Sequence, residues 1–209
     1  MAIKSLKHSS LTDNAFYRSV LAGNDAYFPE FESDDFLEEV VLTTSAASVT
    51  FSGLDSYATA GYRHLQVRYM IQYINGTTGT TAMNLQLNSD TGSNYAKHYL
   101  RGYSSGGGSG VDTSSTTSST NIQLNDAGTR PSETNNFSSG IIDLLDFSSA
   151  AKNTTIRALY GAVTPSESYI YLASGLWNST AAVTSIKHFS VSGFSYAAGS
   201  RFSLYGSKA

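Results

Sequence analysis

From about residue 37 onward, apolar and polar positions alternate with a period of two, the pattern of strands that bury one face and wet the other. The clearest stretch is Leu65–Tyr73. Leu65, Val67, Tyr69, Ile71 and Tyr73 share one side, while His64, Gln66, Arg68 and Gln72 take the other. That division suits an antiparallel sheet with one solvated face. Ser48–Phe51 alternates in the same way. Further strands are expected over Ala82–Leu87, Tyr95–Tyr103, Ile122–Asn125, Ser139–Leu145, Thr155–Tyr160, Tyr169–Ala173, Val183–Val191 and Phe202–Tyr205. Turn-forming pairs separate most of them, among them Asn75-Gly76, Asp90-Thr91-Gly92, Lys152-Asn153 and Ala198-Gly199. Short strands in this number, joined by such turns, predict an all-β fold: an antiparallel β-sandwich of jelly-roll-like type.

The alternation is absent from residues 1–36, which read as an N-terminal arm ahead of a single sandwich domain over 37–209. Within the arm, Thr12-Asp13-Asn14 would cap a short helix through Phe16, Tyr17, Val20 and Leu21, with Gly23-Asn24 ending it. Aromatic rings recur through it. Phe16, Tyr17, Tyr27, Phe28, Phe31 and Phe36 are expected to be anchors that dock the arm onto a partner subunit or onto its own domain. A second departure is Ser104–Thr120, a run of Ser, Gly and Thr with almost nothing to bury. Continued by Asn125–Asn136, it predicts a long insertion over about 104–136, displayed outward as a loop.

Charge narrows the function by exclusion. The 209 residues carry 13 Lys and Arg against 16 Asp and Glu, 14% charged in all, where an average chain holds about 25%. A net charge of −3 with scattered bases speaks against a nucleic-acid partner, which needs clustered cations to displace counterions from phosphates. Aromatics at 12% supply enough apolar surface for a packed core. Without Cys there is no disulfide, thiolate metal site or Cys nucleophile. The start, Met1–His8, lacks the apolar core of a secretory leader, and no window approaches the ~18 apolar residues of a membrane span. Synthesis in the cytoplasm and no membrane span are therefore expected.

Candidate chemistry is sparse. Asp90-Thr91-Gly92-Ser93 has the lettering of an aspartic protease loop, but the second Asp that must share its proton is missing, and a strand-closing turn is expected instead. Asn88, Asp90 and Asn94 have the alternate oxygen spacing of a calcium site, although Asx side chains more often bond their own turn. His8, His64, His98 and His188 form no paired ligand motif, and no Gly-x-Ser-x-Gly elbow or phosphate-cradling loop occurs. Asp143, Asp146 and Glu167 are the carboxylates a glycosidase would use, yet Asp143 and Asp146, three apart on a strand, face opposite ways. No enzymatic activity, cofactor or metal is expected. Tyr95, Tyr99, Tyr103, Tyr169, Tyr171 and Tyr196 are expected to be exposed, their faces suited to protein contact or sugar stacking.

Several segments taken together resemble the β-rich virion structural proteins of tailed bacteriophages, notably those of marine and cyanobacterial phages. They are Tyr62–Val67, Asn88–Ala96 with His98, Ile141–Phe147, Lys152–Arg157, Ser174–Ile186 and Ala198–Gly206. The likeness spans about residues 40 to 206 and includes no catalytic signature. It implies a non-enzymatic virion protein, either a tail or fibre component or a capsid decoration (cement) protein, made in the host cytoplasm and located in the virion. Its partners would be other capsid, portal or tail proteins and further copies of itself, a trimer being one arrangement. The alternative is a glycan-binding host-recognition module, with Tyr faces and long-loop Asn and Asp side chains meeting a host surface glycan.

Overall fold

A computed structural model describes residues 35–76, 79–130, 135–191 and 193–208. In chain order its elements are β1 (Asp35–Val41), β2 (Ser48–Ser52), a short helix α1 (Asp55–Thr59), β3 (Tyr62–Ile71), β4 (Thr80–Leu87), β5 (Tyr95–Ser105) and β6 (Gly108–Ser119). Then follow β7 (Ile122–Thr129), β8 (Ser138–Leu145), β9 (Thr154–Val163), β10 (Glu167–Trp177), β11 (Ser185–Ser190) and β12 (Arg201–Lys208). They form two sheets, one of eight strands in the order β1-β12-β3-β8-β9-β10-β5-β6 and one of four in the order β2-β11-β4-β7. Every strand-to-strand ladder is antiparallel. The expected all-β sandwich is what forms.

The period-two alternation explains which residues lie between the sheets. From the larger sheet come Leu65, Val67, Tyr69 and Ile71 of β3, Ile142 and Leu144 of β8, and Ile156, Ala158 and Tyr160 of β9. Val49 and Phe51, Ile186 and His188, Met83 and Leu85, and Ile122 and Leu124 answer them from the four strands of the smaller sheet. Burying each such aliphatic or aromatic side chain is worth about 1.5–3 kcal/mol, and all of this set but the polar His188 belongs to one continuous hydrophobic core.

Two strands lie where none was expected. The Ser/Gly/Thr run is not an outward loop: residues 108–119 form β6, the outermost strand of the larger sheet, paired along its length with β5. Gly106 and Gly107, at φ of 56° and 107°, make the two-residue turn of this hairpin, a conformation open to glycine without a Cβ clash. The other is β1, which begins at Asp35, so the sandwich starts inside the stretch read as arm and Phe36 belongs to the sheet. The remaining proposed anchors, Phe16, Tyr17, Tyr27, Phe28 and Phe31, and the helix expected through Phe16–Leu21, lie outside the described residues, as does His8.

Candidate functional site

The inner face of the larger sheet is covered by the smaller one along its central strands, and its outer face is where apolar side chains remain in water. Strand register arranges that face in rows. One row reads Met70, Ser139, Gly161, Ile170, Gly102 and Val111 across β3, β8, β9, β10, β5 and β6. The next reads Arg68, Ile141, Leu159, Leu172, Leu100 and Thr113 across the same strands. Its four central aliphatics are between 38% and 53% exposed, and in the first row Ile170 is 60% and Val111 72% exposed. Taking about 170 Å² for a fully exposed aliphatic residue, the two rows with the adjoining Val163 present roughly 700 Å² of apolar surface, more than the ~300–600 Å² of the largest patch on a typical monomer.

The face is bounded and grooved. A third, polar row runs Phe36, Tyr205, Gln66, Asp143, Arg157, Ser174 and His98. In it Asp143 accepts from Gln66 Nε2 at 2.8 Å and from Arg157 Nη2 at 2.9 Å. At the β1 end the Phe36 ring, 59% exposed, meets Tyr205 edge-on at 5.8 Å, and the Arg68 guanidinium lies 4.1 Å from the Tyr205 ring centre. Along the first row opens an apolar groove of about 690 Å³, lined by Phe137, Ile141, Leu159, Val163 and Ile170 with Arg68 at its rim. Two glycines flank Ile170 there: a Cβ on Gly161 would lie 2.6 Å from the Tyr169 carbonyl oxygen, and one on Gly102 would lie 3.3 Å from the Ile170 side chain. Both glycines are thus closely covered, Gly102 by the Ile170 side chain itself.

Of the residues read as possible chemistry, the carboxylates are each engaged locally. Asp90 accepts from its own turn, at 2.8 Å from Gly92 N–H and 2.9 Å from Asn94 Nδ2, and from Trp177 Nε1 at 2.7 Å. Those donors, the indole first, hold its carboxyl below the usual carboxylate range. The Asn88 amide oxygen accepts from the backbone of Thr184 and Ser185, so the Asn88 and Asp90 oxygens considered for calcium are committed to different donors. Among the described residues no group of three or more His, Asp or Glu is placed to hold a metal ion. Asp143 pairs with Arg157, and Asp146 with Lys152. Glu167 accepts from the Tyr169 hydroxyl at 2.9 Å. His64 Nδ1 accepts from the Asp146 amide at 3.0 Å, and His98 stands on the outer face. His188 is wholly buried.

The tyrosines correct the sequence reading. Tyr95, Tyr99, Tyr171 and Tyr196 are buried, and only Tyr103 and Tyr169 of the six keep part of their surface in solvent. Tyr171 stacks on Tyr160 at 4.9 Å and donates its hydroxyl to Asp126. Sequence reasoning missed the apolar outer rows, although one signal pointed to them. Residues 169–177 are mostly apolar at both odd and even positions, with Ile170, Leu172 and Leu176 out of step with Tyr171, Ala173 and Trp177, which marks a strand meant to be covered on both sides.

No protein-family model matches the chain, and no curated protein or solved structure matches it either. Among the described residues no helix is long and apolar enough to cross a membrane.

Proposed function

We propose that this chain is a non-enzymatic structural protein of a virion, a tail or fibre component or a capsid decoration protein, which docks to the particle and holds a β-sandwich at its surface. The observation that carries this reading is the apolar outer face built by Ile141, Leu159, Leu172, Leu100 and Ile170. The sandwich core is complete without those side chains, so their exposure contributes nothing to folding the single chain and favours burial against protein. In a particle the weak contact of one copy is multiplied over many, and modest burial then suffices. The N-terminal segment, with Phe16, Tyr17, Tyr27, Phe28 and Phe31, supplies further docking anchors under this reading.

The test is incorporation. Purified tailed-phage particles produced with a labelled full-length chain are expected to carry the label, and a chain lacking residues 1–34 is expected to fold but lose its place on them. Absence of the full-length chain from particles, or normal incorporation of the truncated one, overturns the proposal.

A further inference from the structure

A surface that packs on its own copy must fit itself after a half-turn. The outer face meets that demand in composition, because Ile170, Leu172, Leu159 and Leu100 stand together at its centre, so aliphatic side chains of one copy meet aliphatic side chains of another. It meets it in charge as well. From Ile141 to Leu100 in one row and from Met70 to Val111 in the other there is no charged side chain, and the nearest charges, Arg68, the Arg201–Glu39 pair beside Met70 and the Asp143–Arg157 pair, lie at the margins. A copy laid on these rows meets no like charge at its centre.

Area argues the same way. Roughly 700 Å² of apolar surface on each copy is close to the ~800 Å² that a standard interface takes from each partner. Two sheets stacked about 10 Å apart through aliphatic side chains is also the packing that the inner face of this sheet already adopts against the four-stranded sheet. We infer that the outer face of the eight-stranded sheet packs against the same face of a second copy of this chain, forming a two-fold dimer. This rests on the reading of that face as an assembly surface and names its occupant.

The full-length protein is tested by sedimentation or light scattering across micromolar concentrations, together with Leu172→Glu. The wild type is expected at twice the chain mass and the variant at the chain mass, with the same circular dichroism. A second measurement does not depend on that variant folding. The chain has no Cys, so Ile170→Cys and, on the exposed side of β2, Thr50→Cys each introduce a lone thiol. Mild oxidation is expected to cross-link the first into a dimer and to leave the second monomeric. A monomeric wild type, any other multiple, equal cross-linking of the two thiols, or a dimer that dissolves when residues 1–34 are removed overturns the inference, the last outcome assigning the face to the N-terminal segment. A monomer found on particles sinks this inference alone, and a dimer missing from particles sinks the virion reading alone.

Discussion

Trp177 at the end of β10 donates its indole N–H to Asp90 at 2.7 Å, fastening the turn that leads from β4 of the smaller sheet into β5 to the strand paired with β5 in the larger one. Three donors converge on that one carboxylate, and a hydrogen bond to a charged group is worth about 1.5–3 kcal/mol before solvent screening weakens it. Asp90→Ala is expected to cost about 1–2 kcal/mol. Because the folded carboxyl titrates below its ordinary value of 3.8, its contribution is complete above that pH and is lost as pH falls through the folded value. Trp177 is the only tryptophan, so urea melts followed by its fluorescence read both effects. Equal midpoints for variant and wild type at pH 7 would show that the turn holds without the carboxylate.

His188 sits in the core with neither ring nitrogen hydrogen-bonded, its ring 5.3 Å from that of Phe202 and 6.3 Å from that of Phe51. Burial pushes its pKa from 6.5 down to about 3. The unfolded chain therefore takes up a proton near pH 6.5 that the folded chain refuses until about 3. Between those values each unit of acidification costs up to roughly 1.4 kcal/mol of stability. His188→Leu is expected to flatten that slope and to leave the protein more stable than wild type at pH 5. A variant whose denaturation midpoint falls with pH as steeply as the wild type would refute the assignment.

What could be read from sequence was whatever burial writes into alternation. β3 and β9 are wet on one side and dry on the other, so their period shows. β6 bonds to its neighbour through backbone, which needs no apolar side chain, and Ser, Thr and Gly therefore hid a strand as a loop. β1 was hidden by Glu38 and Glu39, which follow the bulge between Phe36 and Glu38. The tyrosines misled because a hydroxyl looks polar, whereas that of Tyr95, its pKa pushed up to about 12 by burial, is satisfied by the backbone of Leu87. The outer rows are a property of register: Leu159 and Leu172 are neighbours only once β9 and β10 are aligned.

Gly140 lies opposite Tyr69 on one side and Tyr160 on the other. A Cβ there would stand 2.5 Å from Tyr160 Cβ and 2.6 Å from the Tyr69 ring, and the Tyr160 atom is fixed to backbone. Gly140→Ala is expected to cost about 1–3 kcal/mol through overpacking, against the usual gain from replacing a strand glycine. Gly108→Ala, with nothing within 4 Å of its added carbon, is the control and should stay within about 0.5 kcal/mol of wild type. Thermal melts of the two proteins decide it, and equal midpoints would show that the tyrosine layer yields.

Asp112 is the one charged residue on β6, and Arg101 of β5 donates to both its oxygens at 2.8 Å. That clamp holds the Asp112 carboxyl below its ordinary pKa and keeps Arg101 firmly protonated. The side chains of β6 are otherwise in solvent, so its attachment depends on backbone bonds to β5 and on this ion pair. Asp112→Ala is expected to raise amide hydrogen exchange several-fold over residues 108–116 while β3 and β8, whose inner sides are in the core, exchange as before. Added salt should shift wild-type β6 in the same direction but by less, because a bidentate pair is screened only in part where one partner is half-exposed. Unchanged protection of β6 in Asp112→Ala would mean that the backbone ladder alone secures the edge of the sheet. Accelerated exchange throughout β3 and β8 would mean instead that the hairpin opens only together with the core.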